Sequence, residues 1–227
     1  MTVPQMFDTI SSRYDLINKI LSLGLDRYWR RVVCKHLPSQ QRIKLLDCAT
    51  GTGDQLVSIL KNCPHVYDSV GMDPADEMLA IGSKKLLPYS SRAKLISASA
   101  EAIPFPNEMF DAITISFGIR NVADLSKSLS EIYRTLSPQG RLIILEFSHP
   151  QQKALRSLHR FYLNRVVSWV GKKLSSNEDA YTYLSNTIET FPQGDALKNI
   201  LKQTGFLDVR VKPLTFGVVS LYICGKR

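Results

Sequence analysis

Apolar residues recur at helical spacing through the first thirty positions. Met6, Phe7, Ile10, Tyr14, Ile17 and Leu21 fall on one stripe, which predicts helix from Pro4 to Val33. Thr2 and Gln5 have the form of a capping box at its start, and Gly24 breaks the pattern before Leu25 resumes it. Because these helices precede the first strand, they are expected to lie across the open end of a sheet. From Lys44 the period shortens. Apolar runs predict strands at Lys44–Cys48, Ser69–Met72, Lys94–Ala98, Ala112–Phe117 and Leu142–Phe147. Helical patterns separate them at Asp54–Asn62, Pro74–Leu86 and Leu125–Leu136. The last sets Leu125, Leu129, Ile132, Tyr133 and Leu136 on one face behind Asp124, a candidate N-cap. Ser137-Pro138-Gln139-Gly140 predicts a turn into the fifth strand. A further helix is expected at Asp195–Thr204, closed by Gly205, followed by strands at Val209–Lys212 and Val218–Cys224 that include an antiparallel edge pair.

Strands alternating with helices imply an α/β fold, a doubly wound, mostly parallel sheet of Rossmann-like form with seven strands. The chain divides as one domain: a helical cap over 1–40, a ligand-binding core over 41–150, an insertion over 151–192 and a closing helix and strands over 193–227. No internal repeat or low-complexity tract interrupts it.

The richest segment is Leu45-Leu46-Asp47-Cys48-Ala49-Thr50-Gly51-Thr52-Gly53-Asp54, an apolar strand running into a Gly-x-Gly turn and then a helix. Glycines there let the backbone approach a ligand at a helix N-terminus. The strand Ser69–Met72 ends in Asp73, about 20 residues beyond the turn, where a ribose-binding carboxylate belongs. A dinucleotide fingerprint wants a third glycine, but Leu56 stands there, and Asp54 puts a negative charge where a pyrophosphate would lie. An acid suits a ligand carrying a cation, as S-adenosylmethionine does, so a dehydrogenase is disfavoured.

Composition narrows the picture only a little. The 227 residues are 44% hydrophobic and 22% charged, ordinary for a globular protein. Cys34, Cys48, Cys63 and Cys224 have no pairing or zinc-binding spacing, which favours reduced thiols in the cytoplasm and no metal site. Charges at Asp8, Arg13, Asp15 and Lys19 leave no signal-peptide core, and no apolar run has the length of a membrane span. The net charge of +9 admits nucleic acid, an anionic membrane or no partner at all. The stretch Lys153–Lys173 is basic, aromatic and apolar. It suits either a membrane-surface segment or an ordinary amphipathic helix packed on the sheet.

Several blocks together resemble the quinone-biosynthesis C-methyltransferase family. They are Met6-Phe7-Asp8 with Arg13 to Asn18, then Asp26-Arg27-Tyr28-Trp29-Arg30-Arg31, the Leu46–Asp54 loop, Ser116-Phe117-Gly118-Ile119-Arg120-Asn121 and Leu145-Glu146-Phe147-Ser148. Tyr181, Tyr183-Leu184, Phe191-Pro192 and Gly205-Phe206 look similar too. The resemblance covers nearly the whole chain. It implies a class I S-adenosylmethionine-dependent methyltransferase that methylates a ring carbon of a polyprenyl quinol, either a naphthoquinol of menaquinone synthesis or a benzoquinol of ubiquinone synthesis. Carried over, Gly51, Thr52 and Gly53 in the turn and Asp73 at the ribose would hold the cofactor. Ser99 and Ala100 would flank the adenine, and Ser116 would meet the methionine part. Relatives often carry Asp or Asn in place of Ser99, which implies a weaker contact to the adenine amino group.

Arg120 and Asn121 follow the fourth strand, where cofactor and substrate meet in such folds, and are the candidate catalytic residues. A guanidinium there could stabilise the oxyanion of an ionised quinol ring. Each candidate also has a plainer role open to it. Thr52 could satisfy only its own loop, Asp73 could cap the following helix, Ser99 could simply end a strand, and Arg120 could be a loop charge. The general base is unassigned among groups such as His149, Tyr14 and Tyr181. A nucleic-acid methyltransferase is the competing enzyme class, but Ser116–Asn121 is not the Asn/Asp-Pro-Pro-aromatic segment of the base-amine enzymes, and no nucleic-acid partner is expected. A polyprenyl substrate would add peripheral contact with the inner face of a membrane. The pattern carries no sign of oligomeric state.

Overall fold

Period-two alternation along the strands decides how the molecule is layered. In the computed structural model, which describes residues 3–162, 183 and 186–227, β1 (Ile43–Cys48) sends Ile43 and Leu45 to one face and Leu46 and Cys48 to the other. The same division holds in β4 (Phe110–Ser116), with Ala112 opposite Ile113 and Ile115. It recurs in β5 (Leu136–Phe147), with Ile143 and Leu145 opposite Leu142 and Ile144. Both faces are therefore buried, as a parallel sheet requires. One core packs under α2 (Asp26–Cys34) and α3 (Asp54–Asn62), with Trp29, Val33, Leu56 and Ile59 against the strands. The other packs under α5 (Leu125–Thr135) and α7 (Asp195–Thr204), with Leu129, Ile132, Leu197 and Leu201. A 9-residue helix, α6 (Lys153–Phe161), follows β5.

The remaining strands are β2 (Val66–Asp73), β3 (Ala93–Ser97), β6 (Leu207–Leu214) and β7 (Val219–Gly225), and the 7-stranded sheet runs β3-β2-β1-β4-β5-β7-β6. Pairing is parallel from β3 to β5, whereas β7 is antiparallel to both β5 and β6. The expected antiparallel edge pair is thus present. Strand order reverses between β1 and β4, and a crevice opens outside their carboxyl ends. The N-terminal helix α1 (Val3–Leu21) packs against α4 (Asp76–Leu86) and brings Val3, Pro4 and Phe7 to that crevice. α2 is pinned differently: Trp29 Nε1 donates to Thr215 Oγ1 at 2.7 Å, and its ring meets Phe117 and Phe147.

Several strands run a residue or more beyond or short of the sequence pattern, β2 from Val66 and β6 from Leu207 among them, and three other differences have a visible cause. α4 begins at Asp76 rather than Pro74, because Ala75 is extended and donates its N–H to the Asp73 carboxylate. α5 ends at Thr135, and Leu136 already belongs to β5. The Ser137–Gly140 turn lies inside β5: Phe110 pairs with Leu136 and Ala112 with Arg141, so residues 137–140 protrude between two paired stretches, with Gln139 at φ 63°. Asp124 is the N-cap expected, accepting from the Lys127 N–H at 2.9 Å, and Gly205 closes α7 at φ 112°. Thr2 of the proposed capping box lies outside the described residues, as does most of 151–192 beyond Tyr162.

The loops after β1 and β4 touch at Gly118. A Cβ there would lie 2.4 Å from the Ala49 Cβ, a rigid neighbour. Gly118→Ala is expected to cost about 1–3 kcal/mol by overpacking, read as a lowered midpoint in chemical denaturation.

Candidate active site

The carboxyl ends of β1, β2 and β4 open into a cleft of about 480 Å³. Its floor is the glycine turn. Ala49 (φ 49°), Gly51 (φ 55°) and Gly53 (φ 78°) all adopt left-handed backbone, which turns the chain sharply into α3. Phe117, closing β4 on the facing wall, is also left-handed at φ 60°. Side-chain-bearing residues held in this region concentrate at functional sites.

Asp73 ties this floor to the end of β2. Its Oδ2 accepts the Gly51 N–H at 2.9 Å and its Oδ1 accepts the Ala75 N–H at 3.0 Å. Burial pushes its carboxyl upward, against the pull of those two hydrogen bonds. Thr52 is buried, and its hydroxyl donates to Asp15 Oδ1 of α1 at 2.6 Å. Lys85 of α4 completes the cluster, donating to Asp15 at 2.5 Å, to Asp54 at 2.6 Å and to Thr52 at 3.0 Å. The Thr52 hydroxyl therefore docks the N-terminal helix onto the glycine loop.

Ser99 and Ala100 line the far end of the cleft after β3. The Ser99 hydroxyl donates to Glu101, whose carboxylate also accepts the Ala123 N–H at 2.6 Å. Burial raises the Glu101 carboxyl, but the Ser99 and backbone hydrogen bonds outweigh it and hold it below the usual range. Glu101 thus brings a carboxylate to the wall where this chain has Ser99. At the near end, the Ser116 hydroxyl donates to Gln55 Oε1 at 3.1 Å, and Gln55 Nε2 donates to the Arg30 carbonyl at 3.4 Å.

Of the candidate residues, Gly51, Thr52, Asp73, Ser99, Ala100, Ser116 and Asn121 line the cleft; Gly53 and Arg120 are not among its described lining residues. Gly53 stands behind the loop as the residue preceding α3. Arg120 is buried and forms an ion pair with Glu146, Nη1 to Oε1 at 2.6 Å, while the same nitrogen donates to the Phe117 carbonyl at 2.7 Å. Burial raises the Glu146 carboxyl against the attraction of Arg120. Beside this pair, Asn121 Oδ1 is buried without a hydrogen-bond partner. Tyr183 lies within the field of Arg120, and burial raises its phenol. Of the candidate bases, Tyr181 and the Tyr14 side chain fall outside the description, and the His149 backbone N–H donates to Gln193.

Asp47 is the cleft residue that motif reading passed over. It is fully buried at the end of β1 and accepts the Thr114 hydroxyl at 2.5 Å and the Thr50 hydroxyl at 2.7 Å. Desolvation pushes its pKa up to about 6, even though both hydroxyls and Arg30 pull it down. The signal was an acid inside an otherwise apolar strand, which burial tolerates only with partners. Among the described residues, no group of three or more His, Cys, Asp or Glu is placed to hold a metal ion.

A sheet reversed at β1/β4, a glycine turn at that point and an acid ending β2 define a Rossmann-like methyltransferase fold. Solved structures agree: an S-adenosylmethionine-dependent methyltransferase of Thermotoga maritima superimposes with a TM-score of 0.69 at 16% identity, covering 98% of this chain and 99% of that one. One of Aquifex aeolicus gives 0.66 at 16% identity over 94% and 98%. Within that class, the chain belongs to the ubiE/COQ5 methyltransferase family, which it matches over residues 1–226. It is 42% identical over 218 residues to the demethylmenaquinone methyltransferase of Thermus thermophilus, covering 96% of this chain and 98% of the relative. It is 40% identical over 222 residues to the ubiquinone/menaquinone biosynthesis C-methyltransferase of Geobacter sulfurreducens, covering 97% and 86%.

A carboxyl with a raised folded pKa favours folding at low pH, and that contribution is lost as pH rises from 3.8 through about 6. Asp47→Asn is therefore expected to stabilise the ligand-free protein at pH 8 by about 2 kcal/mol, read as a raised melting temperature. The gain should shrink as pH falls below about 6, which thermal melts across pH 4–8 would show.

Proposed function

We propose that this protein transfers a methyl group from S-adenosylmethionine to a ring carbon of a polyprenyl quinol, converting demethylmenaquinol to menaquinol. What carries the reading is family membership along the chain, together with 42% identity to a demethylmenaquinone methyltransferase. The cleft fits the donor. Gly51 and Asp73 form a floor suited to a ribose, Ser99, Ala100 and Glu101 a wall suited to adenine, and Ser116 the side suited to the methionyl part. S-adenosylmethionine supplies an electrophilic methyl group there.

The chain's own contribution is to hold the acceptor ring in line and support its negative charge. Asn121 is the cleft residue of the candidate pair, and its amide meets the quinol oxygen. Arg120 acts from behind: its bonds to the Phe117 carbonyl and Glu146 fix the Phe117–Asn121 turn. Asn121→Ala is expected to lower kcat by roughly 10- to 100-fold while leaving S-adenosylmethionine affinity unchanged. Loss of donor binding in that variant would remove the assignment.

Incubation with labelled S-adenosylmethionine and two chemically reduced acceptors, a demethylmenaquinol and a demethylated ubiquinol precursor, tests the substrate. Label on the naphthoquinol is the expected result. Label on the benzoquinol alone would move the protein to ubiquinone synthesis, and label on neither would overturn the quinol reading.

A polyprenyl chain resides in a bilayer, so the protein meets the membrane peripherally from the cytoplasmic side. No helix among the described residues is long and apolar enough to cross it. α6 supports surface contact by exposing Phe161 among Lys153 and Arg156. Flotation with anionic vesicles and absence from neutral ones is expected; absence from both would end the membrane proposal.

A further inference from the structure

Arg30 enters the cleft from α2, and among the described residues no hydrogen bond or ion pair holds its guanidinium. The residue is 9% exposed and lines the cleft, and its Nε is buried with no hydrogen-bond partner. Among the described residues no carboxylate forms an ion pair with it; its recorded guanidinium contact is the Phe117 ring, 5.4 Å from the centroid. Its neighbour Arg31 points outward and is exposed. A buried guanidinium nitrogen left without a hydrogen-bond acceptor is costly, so an anionic group of a ligand in the cleft is a natural complement.

Asp47 stands on the same side of the sheet. It shares the parity of Ile43 and Leu45, whose face packs against α2, and it pairs laterally with Thr114. Arg30 pulls on the Asp47 carboxyl electrostatically, yet no hydrogen bond or ion pair joins the two. Hydroxyls of Thr50 and Thr114 hold the carboxylate at the strand end instead. The cleft therefore presents a buried cation and a buried anion side by side and separate. Gln55, Ser116 and Phe117 surround this end, and Asp73, Ser99 and Glu101 occupy the other. Separated opposite charges suit a zwitterion, the amino-acid end of a larger ligand, better than a lone oxyanion.

Resting on the methyl-donor reading above, we infer that Arg30 binds the α-carboxylate of the donor's methionyl end, while Asp47 faces its α-ammonium. The planar guanidinium matches a carboxylate with two parallel hydrogen bonds. This contact fixes the methionyl arm and so sets where the sulfonium methyl points into the cleft. Arg30 is thus a positioning residue for the donor.

The test is equilibrium calorimetry without any quinol, comparing S-adenosylmethionine with decarboxylated S-adenosylmethionine, which keeps the ammonium and sulfonium but lacks the carboxylate. Arg30→Gln should weaken S-adenosylmethionine by about 10- to 100-fold and change the decarboxylated donor by less than about threefold. Arg30→Lys should recover part of the loss, because it restores the charge without the fork. Ligand-free melts of both variants check the fold, and Arg30→Lys carries the comparison if Arg30→Gln fails to fold. Equal weakening of both donors, or no weakening of either, would overturn the assignment. Failure of the unmodified protein to bind S-adenosylmethionine at all would instead remove the methyl-donor reading, and this inference with it.

Discussion

Asp73 accepts N–H groups from both Gly51 and Ala75, and through these two bonds the ends of β1 and β2 are held around one cleft. The loop after β1 is left-handed at Ala49, Gly51 and Gly53, a shape with little intrinsic stability of its own. An acid on the adjacent strand stabilises it. The same acid keeps the chain extended through Ala75, so α4 starts late and leaves room at the cleft floor. Burial raises its carboxyl, and the two backbone hydrogen bonds pull it the other way.

Around that floor, charges are concentrated because the sheet leaves them nowhere else to go. Both faces are packed with apolar side chains, and the two fully buried strand carboxylates, Asp47 and Glu146, lie toward the carboxyl ends of β1 and β5. Asp47 and Thr114 lie there side by side, and Glu146 lies near the end of β5 with Arg120. Helices supply the opposing charges: Arg30 from α2, Lys85 from α4. Asp15 of α1 joins the same network through Thr52 and Lys85, so the helix covering the cleft is latched to the loop beneath it. The glycine loop and the N-terminal helix are thereby joined by side-chain hydrogen bonds and an ion pair.

Arg120 illustrates how a motif can be right about place and incomplete about arrangement. Its position just past β4 was legible, and the turn it occupies does reach the cleft through Asn121. Its guanidinium, however, turns to Glu146, a residue 26 positions away that the sequence offered only as part of a family block. Parallel neighbours β4 and β5 bring the two together, and nothing local announces that pairing. Thr52 is similar: its place in the glycine turn was evident, and its partner on α1 was not.

The sequence by itself determined the alternation of strands and helices, the glycine turn, the acid ending β2, the Asp124 cap and the Gly205 stop. All are local, set by side-chain period, backbone permissiveness and hydrogen bonds within a few residues. The placement of 137–140 as an excursion within β5 escaped it, because register with β4 decides that. Only the tertiary structure could single out Asp47 and Arg30 as neighbouring buried charges, since they stand 17 positions apart and the burial of each depends on strands and helices meeting from different layers. Burial and electrostatic partnership are properties of packed neighbours, and no local pattern encodes them.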